Sequence, residues 1–177
     1  MDNLFQIETE RLIIRLHTLA DLLPYQEMQA NSKVMEMIPA KNMSFKESED
    51  YLKHIIREYQ NPSPEKSIYA VELKSDGSFI GNCAIIYLRK DPEIGYRLKE
   101  KFWNNGYATE ITRALIAHLF TSTNYTKIIA DCAVDNIGST KVLSKFMQKV
   151  GESFNQADNC QDYHFELTKL NFENSLL

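Results

Sequence analysis

The octapeptide Trp103-Asn104-Asn105-Gly106-Tyr107-Ala108-Thr109-Glu110 decides the fold of this chain, because a strand-like run ends just before it and a long helix begins within it. The run is Ile94-Gly95-Tyr96-Arg97-Leu98, which has the character of an extended segment. After the octapeptide, apolar residues recur at helical spacing as far as Phe120, which predicts a helix of about four turns with one buried stripe. The octapeptide therefore joins a strand to the first turn of an amphipathic helix.

A loop that leads directly into a helix N-terminus can hold an anion, because it presents free backbone N–H groups and the positive end of the helix dipole. Gly106 permits a positive φ and the close approach of a phosphate, and the small Ala108 keeps the first turn open. The alternative is a glycine that only turns the chain. The sequence holds 6 glycines in 177 residues, about half the usual share of ~7%, so each is more often required by geometry. We therefore predict a phosphorylated ligand at Asn104–Thr109, although neither the fingerprint G-x-G-x-x-G nor a phosphate loop ending in Gly-Lys-Ser/Thr is present.

The remaining hydrophobic pattern predicts strands on both sides of the central helix. Strands are predicted at residues 9–16, 67–73, 79–88, 94–98, 127–134 and 162–167, and helices at residues 19–28, 44–59, 108–120 and 140–149. Ser44 and Glu47 match a capping box, and Asp76-Gly77 marks a hairpin turn. This order of elements predicts an α+β domain on one mixed sheet. No repeat, low-complexity segment or internal boundary divides the chain, so residues 1–177 are predicted to form a single domain.

Composition excludes several classes of protein. The formal net charge of -4 disfavours broad attraction to nucleic acid or to an anionic membrane. No apolar run approaches the ~18 residues needed to span a bilayer, and residues 1–12 lack a signal segment, so we expect a soluble cytoplasmic protein. Cys83, Cys132 and Cys160 form no C-x-x-C pair, which suits a reducing compartment, and no metal site is predicted. The sequence leaves the oligomeric state open, a homodimer included.

The octapeptide resembles the acetyl-CoA pyrophosphate loop of the GNAT acetyltransferases, in the W-G-K-G-Y-A-T-E form of the ribosomal-protein-alanine acetyltransferase (RimJ/RimL-like) branch. Three further segments match the family in the same order, namely Glu8-Thr9-Glu10-Arg11-Leu12, Ile94–Leu98 and Asp135-Asn136-Ile137-Gly138-Ser139. The resemblance covers the chain from about Thr9 to Val150. It implies a GNAT-like fold, in which helices flank a central, mixed and mostly antiparallel sheet. It also implies an acetyl-CoA-dependent N-acetyltransferase that acts on a primary amine, either a protein N-terminus or a small molecule.

The resemblance assigns roles to residues at three places in the chain. The pyrophosphate-binding positions fall on Asn104, Asn105, Gly106, Tyr107, Ala108 and Thr109. Backbone groups of Tyr96, Arg97 and Leu98 fall where a splayed strand binds the pantetheine arm and polarises the acetyl carbonyl, unless they are only ladder residues of a central strand. Asn136 falls where the family contacts pantetheine, and Ser139 where a hydroxyl lies near the thioester sulfur, with helix capping as the alternative. Cations that could assist with the anionic coenzyme, unless they are ordinary surface residues, are Lys99, Lys101, Arg113, Lys141 and Lys145.

The general base is predicted from its place in a strand. Glu93 begins the strand that contains Tyr96 and alternates with Gly95 and Arg97 on one face, so its carboxylate could reach an amine through water. Asp131 is the second candidate and His164 the third, and each of these groups could instead be solvated or ion-paired. Catalytic roles are thus predicted for Glu93, Asn136 and Ser139.

The choice of acceptor follows from the protonation of amines. An α-amine with a pKa near ~7.8 is about one-third neutral at about pH 7.5, whereas a lysine amine near ~10.4 is neutral about 0.1% of the time. An enzyme without an assured general base is therefore better matched to an α-amine, in a peptide or in a small molecule, or to another amine of low pKa than to lysine. Direct transfer is predicted, because no histidine is placed to pair with Cys132 as a nucleophile. Two alternatives keep the same fold, a non-catalytic acyl-CoA-binding or sensor module and an aminoacyl or other acyl transferase.

Two features bear on the acceptor groove. The resemblance implies that the early helices border this groove, so candidates to line it, with core packing as the alternative, are Tyr25, Met28, Met35, Met37 and Tyr51. The family helix after Ser139 closes at Lys-Leu-Gly-Phe, but here Met147 stands at that point and Lys149-Val150-Gly151 follows four residues later. Four residues are about one additional helical turn. The next segment, Glu152–Cys160, has no family match, so this wall of the groove is not predicted.

Overall fold

The computed structural model describes residues 5–36, 42–156 and 159–174. In chain order its strands are β1 (Gln6–Glu8), β2 (Leu12–Arg15), β3 (Lys66–Leu73), β4 (Phe79–Ile86), β5 (Glu93–Leu98), β6 (Lys127–Ala133), β7 (Gln148–Asn155) and β8 (Cys160–Thr168). Its helices are α1 (Leu22–Gln29), α2 (Ser32–Met35), α3 (Phe45–Glu58), α4 (Tyr107–Ser122), α5 (Ile137–Leu143) and α6 (Lys169–Asn174). None of the helices in these ranges combines the length and the apolar character that crossing a bilayer would require.

The strands of the described ranges form one 8-stranded sheet in the order β1-β2-β3-β4-β5-β6-β8-β7. Neighbouring strands run antiparallel except β5 and β6, which are parallel because α4 carries the chain back between them. The predicted α+β class, with one mixed and mostly antiparallel sheet flanked by helices, is confirmed.

α4 packs on one face of the sheet through the predicted apolar stripe. Ile111, Leu115 and Leu119 are each at most 1% exposed. Their core includes Ile94 and Leu98 of β5. The stripe was predicted from helical spacing, and burial of these residues confirms it. α4 is thereby fixed with its N-terminus at the end of β5.

α1 and α3 cover the opposite face of the sheet. Tyr25 and Met28 of α1 are completely buried there and pack with Ile55 of α3. Because side chains alternate along a strand, Glu93, Gly95 and Arg97 of β5 point toward this face. The sequence prediction for these three residues is therefore confirmed, and they lie on the side of the sheet that carries α1.

The close approach of β4 and β5 depends on Gly81, which lies opposite Leu98. A Cβ atom at this position would lie 2.2 Å from the carbonyl oxygen of Arg97. Side chains of any size are therefore excluded, and the backbone of β4 fixes the C-terminal half of β5.

The prediction of a helix over residues 140–149 is wrong beyond Leu143, where α5 ends. β7 begins at Gln148 and pairs with β8 as far as Asn155, and this pairing outweighs the helical spacing of the local sequence. A register shift between Lys149 and Gly151 leaves Val150 50% exposed. The four residues by which this chain departs from the family pattern therefore belong to a strand and not to an additional helical turn.

Of the predicted strand at residues 9–16 the structure forms β2 (Leu12–Arg15). The sequence did not predict β1, which pairs with β2 so that Ile7 lies opposite Ile14. The other predicted elements are confirmed with small shifts at their ends. Ser44 caps α3 in the predicted capping box with Glu47, and Gly77 takes a φ of 71° in the predicted hairpin turn.

Candidate active site

The loop before α4 contains two residues in the left-handed region. Asn104 has a φ of 61° and Gly106 a φ of 79°. Gly106 is the N-cap residue of the 16-residue helix α4, and no side chain caps the helix. Trp103 Nε1 donates a hydrogen bond of 2.9 Å to the Leu98 carbonyl, which fastens the loop to the end of β5. The first N–H groups of α4 therefore face the loop, with the positive end of the helix dipole behind them.

Hydrogen bonds among Arg11, Glu110 and the backbone hold this loop in place. The Glu110 carboxylate accepts hydrogen bonds from Thr9 Oγ1 (2.5 Å), from the Arg11 backbone N–H (2.8 Å) and from Arg11 Nε (2.7 Å). Arg11 also donates to the Asn105 carbonyl (3.0 Å). Although burial opposes it, these hydrogen bonds lower the pKa of Glu110, so the carboxylate stays charged. Both residues lie in segments quoted for the family resemblance, but the sequence did not show that they touch.

One candidate cation contacts the first turn of α4. Lys145 Nζ, which lies just beyond α5, donates to Thr109 Oγ1 at 3.2 Å. Lys99 is paired with Glu27 instead, and the Arg113 guanidinium lies 5.6 Å from the Phe146 ring centroid. The side chain of Lys145 is thus the one that these contacts place beside the loop.

β5 and β6 separate after one ladder pair, Glu93 with Ile129, among the residues described. The N–H of Lys99 donates to the Ile80 carbonyl of β4 at 2.9 Å. Because backbone groups alternate between the two edges of a strand, Arg97 also faces β4, whereas the N–H groups of Tyr96 and Leu98 face β6. These two amides therefore point into the gap where the strands have parted.

Residues at the start of α5 approach this gap. Tyr96 Oη donates to Ser139 Oγ at 3.2 Å, and burial raises the pKa of Tyr96, so its hydroxyl stays protonated at neutral pH. Asn136 is the N-cap residue of α5, since its Oδ1 accepts from the Ser139 N–H at 3.0 Å. The capping alternative for Asn136 is therefore present in the structure, and it leaves the side-chain amide N–H groups available for a ligand.

The three candidate bases lie in one polar chain on the α1 face. Arg89 donates to Glu93 Oε2 (2.5 Å) and to Asp131 Oδ2 (2.7 Å). His164 Nδ1 lies 2.9 Å from Asp131 Oδ1, and His164 Nε2 lies 2.8 Å from Ser153 Oγ. Sequence reasoning missed Arg89, which stands in an irregular segment before β5 with no pattern to mark it. Among the residues placed in the structure, no group of three or more His, Cys, Asp or Glu side chains is arranged to hold a metal ion.

Burial raises the pKa of the Glu93 carboxyl above its ordinary value. The nearby charges of Asp131 and Asp162 act in the same direction, whereas Arg89 opposes them. A carboxylate with a raised pKa is a better proton acceptor once it has ionised. Glu93 is thereby distinguished from the exposed acidic residues of the chain.

A hollow lies beside Glu93 on the same face. Gly95 lies opposite Ala84, and a Cβ atom built on Gly95 would meet no heavy atom within 4 Å. Glu93 stands at one end of this stretch of β5 and Arg97 at the other. Of the residues predicted to line the groove, Tyr25, Met28 and Met35 are buried, Tyr51 is partly buried, and Met37 lies outside the described residues.

Comparison with protein families gives one clear match. The model of the family described as "Acetyltransferase (GNAT) domain" matches residues 11–146. A curated relative, the uncharacterized N-acetyltransferase YnaD of Bacillus subtilis (strain 168), is 29% identical over 141 residues. That alignment covers 78% of this chain and 79% of YnaD.

Solved structures share the architecture. An acetyltransferase of the GNAT family from Bacillus anthracis has a TM-score of 0.80 at 23% identity, covering 93% of this chain and 98% of that chain. RimL, the ribosomal L7/L12 alpha-N-protein acetyltransferase solved in complex with coenzyme A, has a TM-score of 0.79 at 16% identity, covering 93% and 98%. Likeness at these identities shows the fold, so the GNAT-like fold implied by the octapeptide is confirmed.

Proposed function

The chain belongs to the GNAT family of acetyltransferases and is therefore an acyltransferase, and on this premise we propose that it transfers an acetyl group from acetyl-CoA directly to the α-amine of a peptide or small molecule. The observation that carries the proposal is the meeting, at the C-terminal end of β5, of an uncapped helix N-terminus with a gap between two parallel strands. Members of the family use acetyl-CoA, which supplies the acetyl group as a thioester.

The residues around the gap fit coenzyme A. The N–H groups of Gly106–Thr109 would bind the pyrophosphate, as helix N-termini do in other phosphate sites, and Lys145 would add a cation. The free amides of Tyr96 and Leu98 would bind the pantetheine arm and the acetyl oxygen. One such backbone donor contributes on the order of 3 kcal/mol in acyl transfer. The backbone groups of Arg97 face β4 and so would not bind the pantetheine arm, which leaves only its side chain available for a ligand.

During the reaction one proton must be removed from the amine and one must be supplied to the sulfur. As the amide bond forms and the thioester C–S bond breaks, the amine nitrogen loses a proton and the sulfur gains one. Glu93 would accept the first proton through water. The Ser139 hydroxyl, whose oxygen accepts from Tyr96, would donate a hydrogen bond to the departing sulfur, and the thiolate would take its proton from water. Because a thiol has a pKa near ~8.5, the thiolate leaves with modest help.

The α-amine is preferred because of the energy needed to deprotonate lysine. At about pH 7.5 that step costs a lysine amine roughly 4 kcal/mol, and a carboxylate base such as Glu93 is a weak acceptor even with a raised pKa. The RimJ/RimL-like form of the octapeptide supports the same acceptor class. RimL itself is described as an alpha-N-protein acetyltransferase.

The extent of the domain is part of the proposal. The family match over residues 11–146 supports one N-acetyltransferase domain over residues 1–177. The single 8-stranded sheet, with β1 and β7 at its two edges, supports the same extent. The cytoplasmic location and a homodimer stay predictions from the sequence.

The proposed function is tested by following thiol release with acetyl-CoA and a panel of α-amines, lysine ε-amines and aminoacyl acceptors. We expect amine-dependent thiol release and an acetylated α-amine product identified by mass. Tight acetyl-CoA binding with no thiol above background for any amine would instead identify a sensor module.

Two substitutions at α5 separate cofactor binding from helix capping. Asn136→Ala is expected to raise the apparent KM for acetyl-CoA, and Ser139→Ala to lower kcat by about tenfold or less, because the thiolate leaves readily. The measurements are steady-state kinetics and thermal unfolding. Tyr96→Phe, which removes only the hydroxyl that supports Ser139, should lower kcat in the same way.

Asn136→Asp is the matched control, because an aspartate oxygen can still accept from the Ser139 N–H while the amide donor is lost. A raised KM in both Asn136 variants would support a pantetheine contact. If Asn136→Asp retains parental kinetics and only Asn136→Ala loses activity and about 1 kcal/mol of stability, capping accounts for the residue.

A further inference from the structure

Arg97 is a partly buried charged side chain that has no carboxylate partner among the described residues. Its Nε atom is buried and has no hydrogen-bond partner within residues 5–36, 42–156 and 159–174. Its NH1 atom donates to Gln29 Oε1 (2.6 Å) and contacts Met35 Sδ (3.5 Å), and both of these partners are neutral. An unpaired charge in such surroundings is costly, so a residue kept in this state requires an explanation.

The other arginines of the chain show what is missing at Arg97. Arg11, Arg15 and Arg89 each pair with at least one carboxylate. Arg57 and Arg113 are exposed and so are stabilised by water. In the described ranges Arg97 forms no salt bridge, and its side-chain partners there are the neutral Gln29 and Met35.

The groups around Arg97 are arranged as donors. The Gln29 side chain links Arg97 to Tyr25, since its Oε1 accepts from Arg97 and its Nε2 donates to Tyr25 Oη at 2.5 Å. The Tyr25 hydroxyl proton is then left without an acceptor in the part of the chain that is described. Burial raises the pKa of Tyr25 to about 12, so this proton is held at neutral pH. Arg97 and Tyr25 together therefore present donors to a ligand that has only acceptors.

The position of these donors relates them to the acceptor groove. Arg97 points to the same face as Glu93, four residues along β5, or about 13 Å of strand. Gly95 and Ala84 leave the hollow between them. We propose that Arg97 forms a carboxylate subsite in this groove, so that the acceptor is an amine that also carries a carboxylate, in the simplest case a free amino acid. The carboxylate of a free amino acid raises the pKa of its amine above that of a peptide α-amine, and pairing with Arg97 would offset this effect. The inference rests on the proposed function and narrows its acceptor.

A carboxylate fits the donor set better than a neutral group. The guanidinium presents a planar fork that matches the two oxygens of a carboxylate, and hydrogen bonds between charged partners are about twice as strong as neutral ones. Bound there, the acceptor would pair its carboxylate with the charge of the guanidinium. Its amine would then lie over the hollow, between Arg97 and the polar chain that begins at Glu93.

The test compares free amino acids with their primary amides as acceptors, by kcat/KM for thiol release. Loss of the neighbouring negative charge lowers the pKa of the amine in an amide, so reactivity alone favours the amides. We expect the parent enzyme to prefer the acids by at least about 30-fold. Arg97→Gln should reduce that preference to about threefold or less, through a higher KM for the acids, and Arg97→Lys should retain part of it. Arg57→Gln, which removes an exposed arginine, should leave the preference unchanged.

The α-amides of aspartate and glutamate identify the source of the carboxylate, since they keep only the side-chain group. Strong use of these amides, lost in Arg97→Gln, would place a side-chain carboxylate in the subsite and support the proposal equally. The proposal is overturned if the parent uses neutral amides as well as acids, or if Arg97→Gln retains the preference. It is also overturned if Arg97→Gln unfolds at a clearly lower temperature, since an arginine that only stabilises the fold would show that loss.

Calorimetry of amino-acid binding in the presence of coenzyme A tests the subsite without turnover. Binding of the acid, absent for the amide and absent in Arg97→Gln, would support the subsite even if no amine is acetylated and the proposed function fails. Equal binding of acid and amide would overturn the subsite and leave the proposed function standing.

Discussion

Gly106→Val is expected to weaken acetyl-CoA binding at least tenfold, about 1.4 kcal/mol, while the domain stays folded. Gly106 has a φ of 79°, which a β-branched residue adopts only under strain, and it stands as the N-cap of α4 where the pyrophosphate would approach. A Cβ atom there would lie 3.5 Å from Arg11 NH2, so the fold itself has room for it. Titration calorimetry with acetyl-CoA measures the loss.

Gly77→Val is the matched control, because Gly77 has a φ of 71° in a hairpin turn and a Cβ atom there would meet no heavy atom within 4 Å. Both variants should lose a similar amount of stability to backbone strain. Only Gly106→Val should lose affinity. Parental affinity in Gly106→Val would contradict the assignment of the loop at Asn104–Thr109.

Glu93→Gln is expected to lower kcat/KM at least about 100-fold at neutral pH, since a positioned general base contributes about 10²- to 10⁴-fold. Burial raises the pKa of Glu93, so kcat/KM of the parent should rise with pH through a pKa above the ordinary value of about 4.3. That rise should be absent in Glu93→Gln. A pH profile shared by parent and variant would show that Glu93 is not the base and would leave Asp131 or His164 to be tested.

The stability of Glu93→Gln separates this role from a structural one. Because the pKa is raised on folding, the folded state binds more protons than the unfolded state between the two pKa values, so the contribution of Glu93 to stability falls as pH rises through that window. Above it the charge of Glu93 destabilises the fold, and Gln should not lower the unfolding temperature at about pH 7.5. Glu166→Gln is the control that should leave kcat/KM unchanged, because it removes a β8 carboxylate that pairs with Lys127 of β6.

The features that could be predicted from the sequence are those fixed by neighbouring residues. The octapeptide holds a strand end, a positive-φ glycine and a helix start within a few positions, and Ser44 with Glu47 carries its own capping signal. The alternation along β5 also placed Glu93 and Arg97 on one face from local pattern alone. Each of these inferences depends on contacts or periodicity within about one turn or one strand.

The features that escaped prediction depend on residues far apart in the chain. β7 forms because β8 offers it a partner, and its own residues, with Gly151 and the exposed Phe154, carry no clean alternation. Arg89 joins Glu93 to Asp131 across 42 residues, and Arg11 reaches Glu110 across 99. No local pattern marks such pairs, because the folded chain alone brings them together.

The lack of a carboxylate partner for Arg97 in the described part of the chain likewise depends on residues far apart in sequence. The sequence placed Arg97 beside the pantetheine by its backbone, whereas the ladder turns that backbone toward β4 and leaves the side chain against Gln29 and Met35. Whether an arginine has a carboxylate partner is a property of the packed structure.

The central claim is direct acetyl transfer from acetyl-CoA to an α-amine, and the most direct test compares two isomers of one acceptor. Nε-acetyl-lysine offers a free α-amine and Nα-acetyl-lysine a free ε-amine, while both keep the same carboxylate. Measured as kcat/KM against pH, the isomer with the free α-amine should be preferred at least about tenfold near pH 7.5, because more of its amine is neutral. Preference for the ε-amine isomer across the pH range would contradict the account.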